Sequence, residues 1–249
     1  MTGPWADAAV FGAGLLAGAI NTVVGSGSLV TFPTLVALGY PPLVANVTNT
    51  IGLVPGSLSG AFGYRQELGG QRERIVSLGL WAVVGGLGGA AALLAAPGSF
   101  QTVVPWLVLV AVAMVVAQPR LARRLAARGP RPVAGGTLLR LGVLATAVYG
   151  GYFGAAQGVL LIGLLGLSLE DRLQRLNALK NVLVGLVNGV AAVYFIARGR
   201  PAWTAAVILA VASTAGGQLG ARLGRRLPDT VLRAVIAVAG VAVAIKLLV

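Results

Sequence analysis

The chain is expected to fold as an all-α integral membrane protein made of two inverted repeats, each a re-entrant or broken helical hairpin followed by three transmembrane helices. Three observations lead there. Residues are 57% hydrophobic and only 10% charged, with a mean hydropathy of +0.89, whereas a soluble domain carries about 25% charged residues. The sequence matches itself at a fixed offset. Its arginines also distribute sensibly only if the two halves face opposite ways across a bilayer.

Apolar segments fall at 9–38, 43–63, 75–96, 101–118, 140–168, 176–197, 202–221 and 230–249, near the ~20 residues a spanning helix requires. They leave no room for a soluble domain. The start, "MTGPWADAAVF", lacks a basic region and a small-residue cleavage site, so no removable signal peptide is expected. The chain has no Cys and no His, which excludes disulfides, thiolate chemistry and nearly all zinc sites. No cofactor and no metal is expected. The net charge of +13 marks cytoplasmic loops and contact with anionic lipid, not nucleic acid.

Shifting the sequence by 131 residues brings Gly27 onto Gly158, Asn46 onto Asn177 and Pro97 onto Pro228. It also lays "GGLGGA" (85–90) on "GGQLGA" (216–221). This divides the chain into a first repeat (1–118), a basic cytoplasmic linker (119–139) and a second repeat (140–249). Eight continuous helices, the alternative fold, leave 12 basic residues inside and 7 outside. If each repeat opens with a hairpin that enters and leaves on one side, the count becomes 16 against 3, the asymmetry expected of inward-facing loops.

The hairpin tips fall on "VVGSGS" (23–28) and "GAAQGV" (154–159), poor material for a continuous helix. Polar, irregular backbone at membrane depth is tolerated only where protein or a watery cavity surrounds it. Arms of about 12 residues would rise about 18 Å, enough to reach the midplane. Helix amino termini starting near Ser28 and Gly158 would then offer free N–H groups and a positive dipole end to an anion. Ser26, Ser28 and Gln157 add side-chain donors beside Gly27.

A second constellation is "NVTNT" (46–50) with "NALKN" (177–181). Asn46 and Thr50 share one helix face, as do Asn177 and Asn181, and the repeat sets Asn49 against Lys180. A lysine at a helix centre costs about 2.5–3.5 kcal/mol on insertion scales. Lys180 either contacts substrate or snorkels to the cytoplasmic surface past "EDRLQR". Asn21 and Asn188 read as packing contacts. So do the glycines at four-residue spacing, such as Gly14/Gly18, Gly52/Gly56/Gly60, Gly185/Gly189 and Gly216/Gly220/Gly224.

"GLLAGAINTVVGSGSLVTFPTLVALGYPPLVANVTNT", followed half a protein later by "YGGYFGAAQGVLLIGLLGL" and "RLNALKN", resembles the TauE/SafE sulfite exporter family, the TSUP permeases. The resemblance implies a multi-pass permease of the cytoplasmic membrane for small sulfur-containing or organic anions: sulfite, thiosulfate, sulfoacetate or sulfonates. The family's run of glycines appears here as Gly25-Ser26-Gly27-Ser28 and Ala155-Ala156-Gln157-Gly158, and Pro33 of the Pro-x-Leu motif is matched by Leu164. Expected partners are a small anion and the lipid bilayer, with homodimerisation left open. An anion channel on the same scaffold is the alternative to a carrier. The carboxylates Asp7, Glu67, Glu73, Glu170, Asp171 and Asp229 fall in loops or at span ends, so neither an intramembrane enzyme nor a side-chain proton relay is expected.

Overall fold

The computed structural model describes the backbone of residues 3–127 and 136–223. The expected last span, 230–249, lies outside the described residues. Among the described residues there are nine α-helices and no strand. They are α1 (Pro4–Val23), α2 (Ser28–Ala37), α3 (Pro42–Gly63), α4 (Arg72–Ala95), α5 (Pro97–Ala127), α6 (Thr137–Tyr152), α7 (Gln157–Ser168), α8 (Leu173–Arg198) and α9 (Trp203–Leu223). A single 3₁₀ turn, Arg65–Leu68, joins α3 to α4. Elements recur at the sequence offset: α3 and α8 begin 131 residues apart, as do α4 and α9.

Helix α4 turns large apolar residues outward and small ones toward its neighbours. On α4, Val76, Leu80, Val84 and Leu87 are exposed, while Gly79, Ala82, Gly85, Gly86, Gly89 and Ala90 are buried. In lipid there is no hydrophobic gain from pairing two leucine faces, so small residues that let backbones approach define the contacts. A Cβ on Gly89 would lie 2.0 Å from the Val148 carbonyl, and one on Gly216 would lie 2.0 Å from that of Leu15. Gly189, by contrast, has no neighbour at its Cβ position among the described residues.

These contacts fix the directions of the helices. Gly14 meets Ala212 and Gly18 meets Ser213 and Gly217; Gly52 meets Leu209 and Gly63 meets Ala221. Residue numbers rise together, so α1, α3 and α9 run parallel. Gly85 meets Ala147 and Gly151 meets Gly86, while Gly79 meets Leu186 and Gly86 meets Val190; α4, α6 and α8 therefore run parallel too. Between these trios the order reverses. Gly185 faces Ser57 and Leu58, whereas Gly199 faces Val47. The repeat counterparts α3 and α8 are antiparallel, so the halves are inverted.

The same geometry sorts the loops. Arg74 at the start of α4 pairs with Asp171 just before α8 at 2.6 Å, and Ala202 N–H before α9 donates to Thr48 Oγ1 near the start of α3 at 2.9 Å. Eight continuous crossings would separate both pairs across the membrane. The α1–α2 and α6–α7 breaks each turn the chain back to the side it came from.

Two expectations about length change. The first arms are longer than 12 residues: α1 has 20 and α6 has 16, against 10 and 12 in α2 and α7. Each first arm overshoots the midplane, and Thr22 sits beside Gly60, near the far end of α3. The basic linker also begins as helix, since α5 continues to Ala127. Among the described residues, five helices are long and apolar enough to span, and α3 is absent from that set. Its buried face carries Asn46, Thr48, Asn49, Thr50 and Ser57.

In this naturally cysteine-free chain, single cysteines at Ala37 and Glu170, both exposed, test the topology. A membrane-impermeant thiol reagent should reach Ala37→Cys only from outside the cell and Glu170→Cys only from the cytoplasmic side of inverted vesicles. Labelling of both from one side would overturn inversion.

Candidate substrate site at two crossed chain breaks

Both breaks begin alike. Val24 and Gly25 N–H converge on the Ile20 carbonyl at 2.7 and 3.1 Å; Phe153 and Gly154 N–H converge on that of Tyr149 at 2.9 and 3.2 Å. Such endings require a left-handed residue, and Gly25 (φ +87°) and Gly154 (φ +78°) supply it. Ala156 is also left-handed at φ +58°, a strained setting for a side chain, and the Tyr149 hydroxyl steadies that turn by donating to the Ala155 carbonyl at 2.6 Å.

The two breaks touch. Gly158 N–H donates to the Gly25 carbonyl at 3.0 Å, and a Cβ on either glycine would lie 2.4 Å from the other's Cα. Phe32 and Phe153 pack edge to face at 5.3 Å beside the crossing.

The expectation of two donor-bearing helix starts is met on one side only. At α7 the first N–H groups are engaged: Gln157 with Gly154, Gly158 with Gly25, and Val159 and Leu160 with Ala156. At α2, Leu29 bonds Ser26 and Val30 and Thr31 bond Gly27. Among the described residues the N–H groups of Ser26, Gly27 and Ser28 have no acceptor. Ser26 is 1% exposed and its hydroxyl is unpartnered; Gln157 is equally buried, with both amide atoms unpartnered.

The Asn/Thr/Lys constellation sits on the crossing and reaches from each repeat to the other's break. Asn46 Nδ2 donates to the Tyr152 carbonyl at the end of α6, 2.9 Å. Asn177 and Asn181 Nδ2 both donate to the Thr22 carbonyl at the end of α1, 3.2 Å each. Lys180 does not snorkel. It is fully buried, and its Nζ donates to the Asn21 carbonyl at 3.1 Å and the Thr22 carbonyl at 3.2 Å. Asn49 turns to its own hairpin, donating to Ser28 Oγ at 3.1 Å and accepting from Thr31 Oγ1. Thr50 bonds only the Asn46 carbonyl behind it, at 3.0 Å. Asn21 Nδ2 donates to Ser57 Oγ at 3.1 Å, a contact between α1 and α3, and Asn188 is buried.

The charge balance is uneven. The ion pairs among the described residues join Asp171 to Arg74 and Arg175 at the cytoplasmic end, so Lys180 has no carboxylate partner among them. The negative end of α1 offsets up to about 2 kcal/mol for a partly buried cation, less than the about 2.5–3.5 kcal/mol that lysine insertion costs. A further negative group near the tip would be welcome. Sequence reasoning missed Thr31, Tyr149 and the carbonyls of Asn21, Thr22 and Tyr152. Thr31 was signalled by its place one turn after Ser28, but a carbonyl carries no side-chain signal.

The sequence pattern described as sulfite exporter TauE/SafE matches residues 10–247. The chain belongs to the TauE/SafE family. It is 25% identical to "Probable membrane transporter protein YfcA" of Escherichia coli K12 over 262 aligned positions, covering 100% of this chain and 91% of that protein. It is 24% identical to a "Probable membrane transporter protein" of Haemophilus influenzae over 239 positions, covering 93% and 90%. No solved structure matches it significantly. This TauE/SafE protein is thus a multi-pass cell-membrane transporter for a small molecule, not an enzyme.

Gly158→Ala should destabilise the detergent-solubilised protein by about 1–3 kcal/mol, as overpacking does; an unchanged melting temperature would deny the contact of the tips. At the cytoplasmic end, burial alone would raise the Asp171 carboxyl. The Arg74 and Arg175 guanidiniums and the Arg172 N–H outweigh it and hold the group below its ordinary value. A depressed carboxylate stabilises above its unfolded-state pKa, about 3.9, and that stability is lost as pH falls through the lower folded value. Asp171→Asn should therefore lower stability at pH 7 by on the order of 1 kcal/mol or less. Its gap from wild type should close only below about pH 4; closure near pH 6 would contradict the assignment.

Proposed function

We propose that this protein moves a small oxyanion of the sulfite, thiosulfate, sulfoacetate or sulfonate class by alternating access, with the anion bound where the two breaks cross. The observation that carries this reading is a fully buried lysine with no carboxylate partner among the described residues, anchored at Asn21 and Thr22, a few residues from N–H groups of Ser26, Gly27 and Ser28 that are unengaged among those residues. Three successive amides at a helix start, the Ser26 hydroxyl and Gln157 Nε2 can replace part of the water an oxyanion loses. A unit charge about 4 Å from the ammonium would gain about 4 kcal/mol at an effective dielectric of 20, enough to settle the cation's shortfall. Gly158 contributes the close approach, and Asn46, Asn49, Asn177 and Asn181 hold the breaks in register, with Thr50 one turn along α3 from Asn46.

Alternating access draws support from packing. The parallel trio α1, α3 and α9 and the parallel trio α4, α6 and α8 are each closed by glycine contacts, and they meet along α3 and α8 and through side-chain bonds to the break carbonyls. Two rigid bodies that share a central, re-formable contact are what rocking around a midplane site needs. The sealed state of Ser26 and Gln157 corresponds to an occluded stage.

Proteoliposomes offered sulfite, thiosulfate, sulfoacetate and an aryl sulfonate test the reading. Lys180→Met should cut saturable uptake at least tenfold, and Ser26→Ala and Gln157→Ala should each raise KM about fivefold, the worth of one hydrogen bond of about 1 kcal/mol. Wild-type uptake in all three would move the site elsewhere. Single-channel currents in place of counterflow would make the protein a channel.

A further inference from the structure

The two breaks are equivalent in geometry but not in charge, and the difference marks a second binding site. Counting from the carbonyl that closes each first arm, Ile20 in α1 and Tyr149 in α6, Asn21 and Thr22 correspond to Gly150 and Gly151. The carbonyls of Asn21 and Thr22 receive the Lys180 ammonium and two asparagine amides. Those of Gly150 and Gly151 receive no donor among the described residues. Position 49, the counterpart of Lys180, holds an asparagine engaged elsewhere.

Two buried side-chain oxygens point to what belongs there. Asn46 is 1% exposed; its Nδ2 is fixed on the Tyr152 carbonyl, and its Oδ1 has no partner. Gln157 is 1% exposed with Oε1 unpartnered. Its amide group, Oε1 and Nε2 alike, lies against Gly150, where an added Cβ would meet it. Both therefore sit on the last turn of α6, at the negative end of a helix that ends inside the membrane. On the α1 side the same end is neutralised by a tethered cation.

We infer that the end of α6 binds a small monovalent cation of the Na⁺ type through the carbonyls of Gly150 and Gly151, Asn46 Oδ1 and Gln157 Oε1, in the role that the Lys180 ammonium fills at the end of α1. The ligand set is neutral oxygen throughout. Mg²⁺ and Ca²⁺ sites draw on carboxylates and transition metals on imidazole or thiolate, and no cluster of His, Cys, Asp or Glu exists among the described residues. Helix carboxyl ends with freed carbonyls are the usual Na⁺ ligands in broken-helix transporters. Gln157 is shared: its oxygen faces the cation and its nitrogen remains for an anion. Binding of the cation itself does not depend on the anion reading.

Thermal denaturation of the full-length protein in detergent, titrated with NaCl against choline chloride at constant ionic strength, tests the site without any transported solute. Wild type should show saturable stabilisation by Na⁺, weaker with K⁺. Asn46→Ala and Gln157→Met should each raise the half-saturating Na⁺ concentration at least tenfold, while Asn181→Ala, at the other break, should leave it unchanged. Identical Na⁺ and choline curves in wild type would overturn the proposal. So would a Na⁺ response that survives both α6-side variants, or one lost equally in Asn181→Ala. Since chloride is common to both arms and no oxyanion is present, the outcome stands whether or not the permease reading survives.

Discussion

A helix that stops inside a membrane leaves its last carbonyls without water, and each must find a donor within the protein or remain unsatisfied at a cost of several kcal/mol. That demand organises this molecule. The ends of α1 and α6 cannot be capped locally beyond one carbonyl apiece, so donors arrive from the opposite repeat: Asn46 for α6, and Asn177, Lys180 and Asn181 for α1. Each repeat finishes the other's broken helix. The direct glycine contact at the crossing, Gly25 with Gly158, follows from bringing those ends within side-chain reach.

The same demand explains the polarity of α3. A helix that must carry Asn46, Asn49 and Thr50 on one face and approach α9 through Gly52 and Gly56 on another cannot also be uniformly apolar. Its hydrogen-bonding face and its glycine face are both internal, and large apolar residues such as Leu58 and Phe62 are left to meet lipid. Stability in such a chain rests on backbone proximity and polar satisfaction more than on burying leucines.

Much of this was legible in the sequence because it follows from composition and charge. Arg172 and Arg175 betray the flipped second half, and Gly25, Gly27, Gly154 and Gly158 betray the breaks. Arm length was not legible. Nothing in "GLLAGAINTVV" says whether the helix halts at the midplane or runs on to Val23, because the stopping point depends on Asn177 and Asn181, more than 150 positions away. The fate of Lys180 was hidden for a similar reason: its partners are carbonyls of Asn21 and Thr22, which any residue type would present. The loss of one donor-bearing helix start was also beyond reach, since it depends on the Gly158 N–H meeting a carbonyl from the other half.

The exchange of outer helices has a consequence for how such a chain can be made at all. The glycine ridge of α3 is covered by α9, and that of α4 by α6, so each covering partner comes from the other half. A lone half would present bare ridges to lipid and an uncapped helix end. It could close only by meeting a second copy inserted upside down. The fused polypeptide guarantees that meeting: the first half waits, incomplete, until the ribosome delivers its inverted complement.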